Sequence, residues 1–204
     1  MTTTNALNIN IPVAISKGGT NATSFTQTNG VVTYNGTSLV NYAGPQISSS
    51  AYASNTSQPA FNAYASGNLT SVTGNGVAYT VLWNDVAFDN TSAINTGTGI
   101  FTAPIAGNYL FTTWINVNNL SSNQTEGVIQ LVTTAATYTI GRGNFWSMSE
   151  LQTGVNNVAM AGAVMAAMSL NDTAKVVVTV FAGSQIVDIS GTYGPSGFSG
   201  MLIC

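Results

Sequence analysis

From Pro59 to the last residue the chain is cut into short runs of valine, isoleucine and aromatic residues, separated by glycine, asparagine and proline. No run repeats its apolar residues convincingly at helical spacing. Tyr79 to Trp83, Tyr109 to Val117, Val128 to Thr133, Val176 to Phe181 and Gly200 to Ile203 are the clearest of these runs. β-Branched and aromatic side chains suit a pleated, half-buried surface. Many short strands divided by turn signals predict two layers packed face to face, a β-sandwich or jelly roll. In GNYLFTTWINV the period is two: Tyr109, Phe111, Thr113, Ile115 and Val117 share one face, and Leu110, Thr112 and Trp114 share the other. Both faces carry apolar residues. The strand is therefore expected to be covered twice, by the second layer and by a further layer or a neighbouring subunit.

The longest apolar run, Val158 to Met168, reads VAMAGAVMAAM. Alanine and methionine form helices well, yet the all-β surroundings favour a buried strand, and the run falls short of the roughly 20 residues a membrane helix needs. Its small residues Ala161, Gly162, Ala163, Ala166 and Ala167 would let backbones or subunits approach closely; a tightly packed core strand is the plainer reading.

Charge narrows the functions open to such a fold. Only 4% of the residues are charged, three basic (Lys17, Arg142, Lys175) and six acidic, for a net charge of -3. Threonine, asparagine and serine supply the polar surface instead, through hydroxyls and amides. Intrinsic disorder of the usual kind needs low hydrophobicity with high net charge and is excluded. Three scattered cations make no basic patch, so neither nucleic-acid binding nor an anionic-membrane anchor is expected, and no membrane insertion. With no histidine and the single Cys204, a His or Cys zinc cluster, a Ser-His-Asp triad and a Cys-His dyad cannot be built within one chain. A non-enzymatic protein is expected. The opening MTTTNALNINIPVAISKGG has neither the basic start nor the apolar run of a signal peptide, which favours assembly inside a cell and release by lysis.

The first 45 residues differ in character. Short β-branched pieces such as Val31 to Tyr34 alternate with Gly18-Gly19, Asn29-Gly30 and Asn35-Gly36, and Asn-Gly tolerates the positive φ that a tight hairpin turn demands. Residues 1–45 are expected to form an attachment or shaft segment, the Ser-rich residues 46–58 a linker, and residues 59–204 a globular head.

The head carries a specific resemblance. Ile94-Asn95, then Thr98-Gly99-Ile100-Phe101-Thr102-Ala103-Pro104, then Gly107, Tyr109 and Phe111 resemble the signature of the complement component 1q globular-head family. Around it, in order, Pro59-Ala60-Phe61-Asn62-Ala63-Tyr64 resembles the family's first strand, and Tyr79 to Trp83 the strand before the signature. Leu170-Asn171-Asp172 with Val176, Val178 and Val180 is similar to the Leu-x-x-Gly-Asp-x-Val strand, and Gly197 to Ile203 to the closing strand. Ile94 stands where an aromatic is usual, and Thr173-Ala174 replaces a glycine-led turn. The resemblance implies an all-β jelly roll of the tumour necrosis factor-like type that assembles as a homotrimer, which would account for a strand apolar on both faces. Residues 11–40 resemble a short repeat of phage tail fibres. One copy could bury its short β-segments against two sister chains.

Site candidates are few. The carboxylates Asp85, Asp89, Glu126, Glu150, Asp172 and Asp188 show no spacing that selects a glycosidase pair and read as solvated loop acids. No cofactor is expected. Some members of the family bind calcium through loop acids and carbonyls, and oxygen ligands alone would admit that ion. Gly141-Arg142-Gly143-Asn144-Phe145-Trp146 sets the sole arginine beside two aromatics, a composition typical of binding hot spots. Arg142, Asn144 and Trp146, with Tyr193 in GTYGPSGF, form the candidate ligand-contact loop. Packing for Trp146 and a subunit contact for Arg142 are the competing readings. The expected role is a virion fibre, spike or head-decoration protein of phage type on the virion exterior. Its trimeric head would present a receptor-binding surface to a host glycan or protein, and residues 1–45 would join another virion protein. The alternatives are a structural capsid or tail cap that binds no receptor, and an adhesin of a bacterial cell surface or spore coat.

Overall fold

A computed structural model describes residues 31–34, 37, 39–42, 46–47, 53–54, 57–145, 157–192 and 194–203. The chain divides into two units, Met1–Ser57 and Gln58–Cys204. In the first, β1 (Val31–Tyr34) pairs antiparallel with β2 (Leu39–Tyr42), so the valine run forms the expected strand. Within the stretch expected to be a linker, β3 (Gln46–Ile47) pairs with β4 (Ala53–Ser54). The Asn29-Gly30 and Asn35-Gly36 turns lie outside the described residues.

The second unit is all-β, two antiparallel sheets, as the turn-divided pattern predicts. Its strands in chain order are β5 (Ala60–Tyr64), β6 (Leu69–Thr73), β7 (Tyr79–Thr80), β8 (Asp85–Asp89), β9 (Ile94–Asn95), β10 (Ile100–Thr102), β11 (Gly107–Asn118), β12 (Glu126–Thr133), β13 (Thr137–Asn144), β14 (Val158–Met168), β15 (Thr173–Phe181), β16 (Val187–Ile189) and β17 (Gly197–Ile203). A seven-stranded sheet runs β6-β16-β11-β17-β5-β8, with β14 on the other side of β11. A six-stranded sheet runs β13-β12-β15-β10-β9, with β7 on β15. The Tyr79 to Trp83 run yields only the two residues of β7; Val81 still donates its amide to the Val176 carbonyl at 3.0 Å, and Val81 and Trp83 are buried in the core.

The core between the sheets is aromatic. Phe61, Phe101, Tyr109, Phe111 and Phe198 interlock at ring separations of 5.0 to 6.0 Å, and Trp83 joins through Phe198. Offset and edge-on rings at these distances add to the hydrophobic gain of burying them. The signature residues have physical work here. Asn95 Oδ1 accepts hydrogen bonds from the Gly97 and Thr98 amides, and the Asn95 carbonyl accepts one from Gly99. Gly99 sits at φ 70°, where a Cβ would meet the Val81 carbonyl oxygen. Ala103 exchanges backbone hydrogen bonds with the 171–172 turn at 2.8 and 2.9 Å, and the Tyr109 hydroxyl donates to the Ile105 carbonyl at 2.9 Å. Burial pushes the Tyr109 phenol up, partly offset by that bond.

The Val158 to Met168 run is a strand, but not the fully buried one expected. Among the described residues β14 pairs only with β11, and one of its faces meets the core through Met160, Ala166 and Met168. The other exposes Ala159, Ala161, Ala163, Met165 and Ala167, Met165 to 64%. Small side chains do permit one close approach. Gly162 lies against the Ile140 carbonyl of β13, leaving no room for a Cβ, and this brings the edges of the two sheets together.

Candidate functional site

Two outward surfaces of the second unit stand out, one on each sheet. Across the seven-stranded sheet, ladder register aligns Met165, Leu110, Met201 and Ala60 in one row. The next row is Ala163, Thr112, Ser199, Asn62 and Phe88. The following row holds Ala161, Trp114, Gly197, Tyr64 and, at its rim, the exposed Asp85. Asp85 is the one charged side chain in these rows. Several polar atoms in these rows are already paired: Thr112 and Ser199 share a hydrogen bond of 2.7 Å, and the Trp114 indole donates to the Pro195 carbonyl at 2.5 Å. A recess of about 150 Å³ opens between Phe88, Leu110, Thr112 and Met201, floored by Phe61 and Gly200. A surface with little charge and hydrogen bonds already made loses little when water leaves it. The Tyr64 phenol is held above its ordinary 10.0 chiefly by its hydrogen bond to Asp85, with burial and the carboxylate's charge adding to the shift.

The other surface lies on β12 and β13. Arg142 and Asn144 sit on strand β13, not on a loop as expected, and the neighbouring Phe145 is buried. Register places Asn144 opposite Glu126 and Arg142 opposite Val128. Arg142 Nη1 reaches Glu126 Oε1 at 2.7 Å, with the two side chains 64% and 32% exposed. Thr125, Glu126, Arg142 and Asn144 line a recess of about 340 Å³. The flanking glycines do not loosen this segment. A Cβ at Gly127 would lie 2.7 Å from the Phe145 ring and one at Gly143 3.0 Å from it, so the glycines make room for Phe145 and Met160 beneath the hairpin. The Arg142–Glu126 pairing was not apparent in the sequence, because it depends on the β12–β13 register, which sets Glu126 diagonally across from Arg142. Trp146 and Tyr193 lie outside the described residues.

The acids are not all solvated loop groups. Asp85 and Asp89 occupy the two ends of β8, and Asp89 accepts hydrogen bonds from the Thr91 and Ile94 amides at 3.2 and 2.9 Å. Asp172 accepts from the Ser169 amide at 2.7 Å. Asp188 is only 6% exposed; it takes the Ser71 amide at 2.7 Å and the Asn119 side-chain amide at 2.6 Å. Its role is to hold the β6 and 119 turns, where Ser71 and Asn119 both have positive φ. Glu150 lies outside the described residues. Among the described residues no three acids or cysteines converge as metal ligands, and no helix is long and apolar enough to cross a membrane.

No family model matches the chain, and no curated protein matches it. Solved structures of similar shape include the globular domain of zebrafish complement 1qA protein, 18% identical, TM-score 0.48, covering 72% of this chain and 98% of that one. They also include murine APRIL, at pH 5.0 (9% identical) and at pH 8.5 (8% identical), each with TM-score 0.48 and covering 72% of this chain and 99% of the other.

Proposed function

We propose that the chain assembles as a homotrimer through the outer face of the seven-stranded sheet and serves as a non-enzymatic fibre, spike or decoration protein on the exterior of a phage-type virion. In this reading the head meets a host surface and residues 1–45 join another virion protein. The observation that carries the assembly is the set of cross-strand rows from β14 to β8, with apolar residues in each row and a single carboxylate at the rim. Burying Met165, Leu110, Met201 and Phe88 recovers hydrophobic free energy in proportion to area, about 25 cal/mol per Å² of apolar surface, without desolvating charge. The virion role rests on the sequence: the tail-fibre-like residues 11–40 ahead of a head with the complement component 1q signature. Threefold repetition would strengthen weak single-site contacts by avidity.

The test is competition. Purified full-length protein is expected to bind host cells and block attachment of particles that carry it. Particles lacking the protein that attach normally would overturn the receptor role; if those particles also lost physical integrity, the protein would be a structural cap.

A further inference from the structure

We infer that the Glu126–Arg142 recess on the β12–β13 hairpin is a subsite for a neutral polyol, a sugar presenting adjacent hydroxyls. The inference rests on the attachment reading above and names the chemistry of its ligand. Position comes first. β12 and β13 belong to the six-stranded sheet, so their outer side is separate from the almost uncharged face assigned to assembly.

An exposed ion pair adds little to stability, and a chain with so few charged residues has set its one arginine and a glutamate together at a surface recess. The pair combines complementary functions. Carboxylate oxygens only accept and a guanidinium only donates. One sugar hydroxyl can donate to Glu126 while its neighbour accepts from Arg142; Thr125 and Asn144 complete the lining of the recess. Because Glu126 neutralises Arg142, and the chain as a whole carries -3, nothing at the recess favours an anionic sugar.

The recess is also firmly built. Phe145 and Met160 fill the space beneath the Gly127–Gly143 pair, the Phe145 amide donates to the Thr125 carbonyl at 2.9 Å, and the Thr125 amide donates to the Phe181 carbonyl at 3.1 Å. A site fixed before binding loses less entropy on binding. The polar row continues past the recess: a bulge after Ile129 keeps Thr139 exposed opposite Gln130, which gives a longer oligosaccharide further hydroxyl and amide partners.

The experiment uses the full-length assembled protein on an array of neutral oligosaccharides and of sialate- or uronate-bearing ones, followed by calorimetric titration with the strongest neutral binder. Neutral glycans are expected to bind. Glu126→Gln and Arg142→Lys should each weaken binding about tenfold or more, while the melting temperature stays at that of the parent protein. Absence of neutral binding, a preference for anionic glycans, or binding that survives both substitutions would overturn the subsite. Host-cell binding by the same preparation separates the two readings: cells bound without neutral glycans remove this subsite alone, and loss of both removes the attachment role as well.

Discussion

At the scale of single residues, stability is set where a side chain has no freedom to change. Gly162 packs on the Ile140 carbonyl where the two sheets meet, so Gly162→Val is expected to cost about 3 kcal/mol. Thr137→Val, at an exposed position at the start of β13, should shift the denaturation midpoint little, within about 0.5 kcal/mol. Asp188→Ala would strand the Ser71 and Asn119 donors and should cost about 2–3 kcal/mol in the same measurement. The sequence offered no sign of that role, since Asp188 resembles any acid near a turn; its burial follows from β16 lying between β6 and β11. Tyr109 gives the pH dependence. Its phenol is raised from the ordinary 10.0 chiefly by burial, so its contribution is fully present below pH 10 and is lost as pH rises through the folded value. Thermal melts of the parent protein should weaken above that pH, and Tyr109→Phe should reduce the alkaline loss. With no histidine, no side chain whose ordinary titration lies near neutrality perturbs the plateau below it.

At the scale of elements, period-two alternation was legible where apolar and polar residues mix. β11 buries Tyr109, Phe111, Thr113, Ile115 and Val117 and turns Leu110, Thr112 and Trp114 outward, as the sequence predicts. β14 was legible as a strand but not in its burial, because a run made almost wholly of alanine, valine and methionine carries no contrast between faces. Only pairing with β11 alone shows that Met165 points out. The Arg142 segment illustrates the same limit. Its composition marked it as a site, but its strand conformation and its partner Glu126 follow from the β12–β13 register and bulge. The outward rows make a direct prediction. Met165→Asp and Met201→Asp place charge on the proposed assembly face at exposed positions, so circular dichroism should show an intact fold while sedimentation shows loss of the trimer. Retention of the parent's sedimentation by both variants would exclude this face as the interface.

At the scale of the whole molecule, scarcity of charge links solubility, assembly and binding. Hydroxyls and amides supply the polarity that charge does not, the sheet face proposed for assembly is almost uncharged, and the Arg142–Glu126 pair is neutral as a unit. Neither assembly nor attachment should therefore depend strongly on ionic strength, and sedimentation in low and molar salt should give the same species. The central claim is the homotrimer, and native mass spectrometry of the full-length protein tests it most directly. The account predicts a single dominant species at three times the 21.0 kDa chain mass, reduced to the single-chain mass by Met201→Asp. A parent protein that flies at 21.0 kDa across the micromolar range would contradict it.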